Sequence, residues 1–107
     1  MNLNITIRPD AEADIENAAF WYEKQRPGLG NDFLDEVQST LKILTENPCL
    51  YPVVHKNIRR ALIRRFPFGL YYFIDKKFII VAAVMHSSRH PENWKKRRTQ
   101  HNKNFRN

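Results

Sequence analysis

His86 is the residue best placed by the sequence to do proton chemistry. It ends an apolar run, Phe78 to Met85, and is followed by Ser87-Ser88. A histidine where a strand runs out sits at the border of a cleft, titrates near neutrality, and can serve as a general base or acid. The plainer alternative is a hydrogen-bonded surface histidine. His90 lies four residues on, a spacing that binds metal when both histidines share a helix. Ser87-Ser88 and Pro91 oppose a helix across that span, and Cys49 and His55 lie elsewhere, so no metal or cofactor is expected.

Arg59, Arg60, Arg64 and Arg65 form a second candidate group. Guanidinium forks pair bidentately with carboxylates and phosphates. Strand alternation keeps the four from sharing one face, and an edge strand guarded by charge is the plainer reading. Trp94 stands next to Lys95, Lys96, Arg97 and Arg98. An aromatic among cations suits base stacking or an interface anchor; the alternative is a tryptophan folded back onto the sheet. The sequence has no glycine-rich phosphate loop, no nucleophile elbow and no carboxylate pair in basic surroundings.

The elements that must position these residues can be read in order. Leu3, Ile5 and Ile7 alternate with polar residues, a period-two strand that Pro9-Asp10 should end, with Asp10 as cap of the next helix. Ala11, Ile15, Ala18 and Tyr22 recur at helical spacing, with Ala19 widening the stripe, and predict a helix over 11–25. Phe20 and Trp21 fall off the centre of that stripe; packing under a neighbouring loop is the expectation, with a place at the stripe's edge or against a partner as the alternatives. Phe33, Leu34, Val37, Leu41 and Leu44 predict a second helix from about Gly30–Asp32 to Asn47, stopped by Pro48. A short connection makes the two an antiparallel hairpin. Residues 48–57 read as a loop. Ile58–Phe66, Leu70–Ile74 and Phe78–His86 read as strands, the last two joined tightly at Asp75-Lys76-Lys77. Phe78–His86, apolar on both faces, should be central. Pro91 can open a short helix. Helices together and strands together make the chain α+β, one sheet covered on one face by a helical hairpin.

At 107 residues the chain is expected to be one domain, residues 1–98, with a basic tail at 99–107. A chain of this length buries roughly two-thirds of its extended surface. Its single cysteine, Cys49, excludes an intrachain disulfide. The longest apolar run is far short of a membrane span, and MNLNITIRPD does not read as a signal peptide, so a cytoplasmic protein with no membrane partner is expected. Charge is segregated. Residues 1–55 hold 4 Lys/Arg and 9 Asp/Glu, whereas 56–107 hold 14 and 2. A half this basic is the footprint of an acidic partner, a nucleic acid or an acidic protein surface.

The stretch RRALIRRFPFGLYYFIDKKFIIVAAVMHSSRHPENWKKR resembles the C-terminal half of the RelE/ParE toxin superfamily, in its ParE-like, plasmid-stabilisation branch. Arg59-Arg60, Arg65-Phe66-Pro67-Phe68-Gly69, Tyr72, Met85-His86, Arg89, Pro91 and Trp94 carry the resemblance, and PDAEADIENAAFWYE and FLDEVQSTL are similar to the family's helical hairpin. It covers about residues 3–98. It implies a helical hairpin on a small, mainly antiparallel four-stranded sheet, and the toxin of a type II toxin–antitoxin pair. The partner it implies is a cognate antitoxin that wraps the toxin, giving hetero-oligomers; exposed strand edges and grooves beside the hairpin suit such a partner. One branch of the superfamily cleaves messenger RNA on the ribosome without metal; the other poisons DNA gyrase by binding. Several cleaving members carry an arginine where this chain has Gly69, and a tyrosine after the last strand, where this chain's last tyrosine is Tyr72. The leading expectation is therefore a gyrase-binding toxin without catalysis. The alternatives are a ribosome-dependent ribonuclease using Arg65 and His86, and an inactive binding module. Residues expected to meet target or antitoxin are Arg59, Arg60, Arg64, Arg65, His86, Arg89, Trp94, Lys95, Arg97 and Arg98.

Overall fold

In the computed structural model, which describes residues 3–88, the elements run β1 (Asn4–Ile7), α1 (Pro9–Gln25), α2 (Leu29–Glu46), β2 (Val53–His55), β3 (Ile58–Leu62), β4 (Phe68–Asp75) and β5 (Phe78–His86). The strands form one mixed sheet in the order β1-β5-β4-β3-β2; β1 pairs parallel with β5, and every other pairing is antiparallel. The fold is the expected α+β arrangement with five strands rather than four. The additional strand is β2, inside the segment read as a loop. Its three residues, with an irregular register against β3, are too short to show alternation.

The central placement expected for β5 holds: it lies between β1 and β4, and Ile79 to Met85 are all buried. The strand beginning at Ile58 stops at Leu62, short of the expected Phe66, because Ile63 to Pro67 form a turn in which Arg65 takes φ +71. Lys76, at φ +57, makes the tight β4–β5 connection.

Pro9 does not end a strand ahead of the helix; it is the first helical residue, where its missing N–H costs nothing. Arg8 therefore occupies the cap position without capping the helix through its side chain, and Asp10 lies in the first turn near the positive end of the helix dipole. Gly28, at φ +89, turns the chain into α2. The Glu23 carboxylate accepts hydrogen bonds from the Gly28 and Gly30 N–H groups, holding a negative charge at the N-terminus of α2. A Cβ on Gly30 would lie 2.6 Å from the Ala19 carbonyl oxygen, so this glycine sets how closely the hairpin closes.

The hairpin covers one face of the sheet. Ala11, Ala18, Ala19, Phe33, Val37 and Leu44 meet Ala61, Ile63, Leu70, Tyr72, Ile79, Val81 and Val84. At one end Tyr22, Phe33, Phe66 and Phe68 form an aromatic cluster, with the Tyr22–Phe66 and Phe33–Phe66 centroids 4.8 and 5.2 Å apart in edge-on geometry. Phe20 and Trp21 do not pack under a loop; they are 64% and 57% exposed. Leu34, expected on the apolar face of α2, is also exposed, at 40%.

Candidate functional site

A register shift in β5 decides where His86 goes. From Phe68↔His86 through Tyr71↔Ala83 the pairing is regular. The next pair is Tyr72↔Val81, which leaves Ala82 without an opposite number. Ala82 and Ala83 together oppose Tyr71, which is a β-bulge. Because side chains alternate with period two, one extra residue inverts the phase of everything beyond it. Ile79 and Val81 face the helices before the bulge, and Val84 faces them after it. Met85 falls on the reverse face with Ile58, Tyr71 and Ala83. His86 is thereby delivered to the helix side, its ring 5.4 Å from that of Phe68.

Beyond Ile7, β1 no longer borders β5, and the freed edge of the bulged strand is met by α1. The Asp14 carboxylate accepts a 2.9 Å hydrogen bond from the Val84 N–H, pinning helix to strand two residues before His86. In the sequence Asp14 is one of several acidic residues near the start of α1. The adjacent small residues Ala82-Ala83 in an otherwise bulky strand were the available hint of a bulge.

Two cavities share His86. One, of about 330 Å³, is lined by Asp14, Asn17, Ala18, Phe68, Val84, Met85 and His86. The other, of about 620 Å³, has Trp21, Tyr22, Pro67, Phe68 and Ser88 in its wall. His86 Nδ1 lies 2.8 Å from the Ser88 hydroxyl and 3.2 Å from the Ser88 backbone N, which donates to it. The described walls of both cavities carry no lysine or arginine; apart from His86 their polar residues are Asp14, Asn17 and Ser88, and the rest are aromatic or aliphatic.

The arginines lie elsewhere and separately. Arg59 faces the helix side and donates through Nη1 to the Tyr51 and Cys49 carbonyls at 2.6 and 3.2 Å, holding the α2–β2 connection against the sheet. The Tyr72 hydroxyl donates to the Pro48 carbonyl at 2.7 Å in the same connection; burial pushes its pKa up to about 12 against the opposing pull of the Arg59 charge. Arg60 is paired with Tyr71 on the reverse face, and its stem lies where a side chain on Gly69 would begin, 3.2 Å from that Cβ position. Arg64 borders a cavity of about 240 Å³ with Glu36, Ile43, Tyr51 and Leu62. Arg65 reaches α2, 3.6 Å from Asp32 and 3.7 Å from Glu36. Arg89, Trp94, Lys95, Arg97 and Arg98, the short helix expected at Pro91, and the tail at 99–107 lie outside the described residues. Among the described residues no cluster of three or more His, Cys, Asp or Glu side chains could hold a metal ion, and no helix is long and apolar enough to cross a membrane.

A family model described as the ParE toxin of the type II toxin–antitoxin system parDE matches residues 5–91. The chain belongs to that family. Solved structures similar to this ParE-family toxin include one titled as the chromosomal ParDE toxin–antitoxin system of P. aeruginosa. Its TM-score is 0.71 at 16% identity, over 78% of this chain and 95% of that one. Another is titled as the toxin–antitoxin complex RelBE2 of Mycobacterium tuberculosis, with a TM-score of 0.56 at 17% identity, over 80% of this chain and 99% of that one. At these identities the likeness shows the fold, which is the superfamily fold anticipated from the residues between Arg59 and Trp94. No curated protein matches the sequence.

Proposed function

We propose that this ParE-family toxin arrests growth by binding DNA gyrase, with no catalysis of its own, and that a cognate antitoxin holds it inactive. The observation that carries the reading is that, among the described residues, none of Arg59, Arg60, Arg64 and Arg65 lines a cavity with His86. Cleavage of a phosphodiester needs a base, an acid and a positive charge aimed at the phosphate in one place. Here the bulge turns His86 to the helix side, where Asp14 is its charged neighbour. Arg60 lies on the reverse face, and Arg65 is drawn to the Asp32 and Glu36 carboxylates of α2. A toxin whose candidate base is held apart from its described candidate cations is suited to recognition rather than to phosphoryl chemistry.

The antitoxin is expected to be acidic where it meets the basic half of the chain. Leu62, large and exposed, lines the Ile43–Tyr51 cavity beside Arg64 and supplies an apolar seat next to a cation, with Glu36 also in the wall. Purified gyrase decides the target. The toxin is expected to inhibit supercoiling when added in excess, and the His86→Ala variant to inhibit equally well. Unchanged supercoiling sinks the gyrase reading. Loss of growth inhibition in His86→Ala, together with message cut on translating ribosomes by the wild type, replaces it with a ribonuclease.

A further inference from the structure

The two edges of the sheet are built differently. At one edge β2 has three residues, an irregular register and Pro52 immediately before it. Short length, irregularity and proline are the devices that keep an edge from pairing with another chain. At the other edge β1, one residue longer, reads Asn-Ile-Thr-Ile and pairs in regular register, with no charge, no proline and no bulge. Among the described residues no strand lies beyond it.

The hydrogen bonds from β1 to β5 show which backbone groups face outward. Asn4 donates to Lys77 O and Arg8 to Val81 O, so the even-numbered residues of β1 turn their backbone toward β5. Ile5 and Ile7 turn theirs to the open side. An antiparallel strand on that side would be bonded at those two residues.

We propose that two copies of this chain pair through β1, strand against antiparallel strand, about a two-fold axis at Thr6. Ile5 of each copy then exchanges two backbone hydrogen bonds with Ile7 of the other, and Thr6 faces Thr6. The side chains suit the pairing. Ile5 meets Ile7 on the helix side, where each is only half-buried in the single chain, and the two threonines meet on the reverse side. Both are favourable cross-strand pairs. Next to β1, α2 borders a groove of about 590 Å³ lined by Ile5, Leu41, Asp35, Gln38 and Lys42. Asp35 and Lys42 are seven residues apart and share this groove. A two-fold axis brings opposite charges together only where a surface carries both signs, so that Asp35 of one copy meets Lys42 of the other. The groove is self-complementary in this sense, which argues for a second copy rather than an unrelated strand.

Sedimentation of the purified full chain, with and without variants, tests the pairing. The wild type is expected to reach the mass of two chains with rising concentration, and Thr6→Lys, which opposes two lysines on the axis, to remain at the mass of one. Lys42→Asp should weaken the dimer, and adding Asp35→Lys should restore it. In a Cys49→Ser background, Thr6→Cys should form an interchain disulfide on mild oxidation, because directly opposed residues that are not hydrogen-bonded lie about 4.5 Å apart at Cα, within disulfide reach. Asn4→Cys, which this register places opposite Arg8, should not. A single-chain mass for the wild type at every concentration, with no cross-link from Thr6→Cys, overturns the proposal. Cross-linking through Asn4→Cys instead overturns the register. A Thr6→Lys variant that loses antitoxin binding while the toxin alone stays at one chain assigns the edge to the antitoxin and overturns it as well.

Discussion

At the residue scale, the most informative side chains are those whose partners are backbone atoms. Arg59 was read from the sequence as a target-facing cation, and Tyr72 as one of the residues that carry the family resemblance. In the structure both hold the connection between α2 and β2, through the carbonyls of Pro48, Cys49 and Tyr51. Carbonyls leave no trace in the amino-acid letters, so this role could not be read in advance. The position of His86 at the end of a strand was legible; its face was not. Tyr72 carries a test of its own. Burial raises its pKa from the ordinary 10.0 to about 12. A raised pKa stabilises the fold fully below the unfolded value and loses that contribution as pH climbs toward the folded one. Urea midpoints should therefore fall between about pH 10 and pH 12. Tyr72→Phe should cost about 1 kcal/mol at neutral pH, for the lost hydrogen bond, and should flatten that alkaline fall.

At the element scale, the long periodic segments were the most legible. The alanine stripe predicted α1, and Phe33, Val37 and Leu44 predicted the buried face of α2. Phe78–His86 is a strand over the residues expected. What escaped was short or set by tertiary contacts: the three-residue β2, the early end of β3 at Leu62, and the bulge. The bulged strand is tied to α1 by the hydrogen bond from the Val84 N–H to Asp14. Asp14→Ala leaves that amide without its acceptor and should cost about 1–3 kcal/mol. Asp14→Asn keeps an acceptor oxygen and should cost less. Urea denaturation gives the stability, and faster hydrogen exchange at Val84 in the alanine variant alone would locate the loss.

At the scale of the whole molecule, charge and fold divide the work. The acidic first half of the sequence builds the hairpin, and the basic second half builds β3 to β5 and continues beyond them. This division was readable from composition, and the superfamily from the resemblance carried by the motifs between Arg59 and Trp94. The cellular target was not, because one fold serves both binding and cleavage, and the difference lies in which side chains share a face. Association with target or antitoxin should be governed by the basic half. Charge reversal across Lys95 to Arg98 is expected to weaken binding and to reduce its dependence on salt, since fewer screened contacts remain to be lost. Calorimetric titration at two ionic strengths measures both effects; an unaltered salt dependence would place the partner elsewhere on the surface.

The single extra residue at Ala82 also bears on how this chain can be compared with its kin. A relative that lacks it could keep a histidine in the same alignment column, yet display it on the opposite side of the sheet. Inheritance of a catalytic role along such a column would then be spurious, however well the letters agree. For this fold an insertion or deletion of one residue in the last strand is a larger chemical event than most substitutions. Roles should therefore be transferred by strand phase, with the gap placed at the bulge.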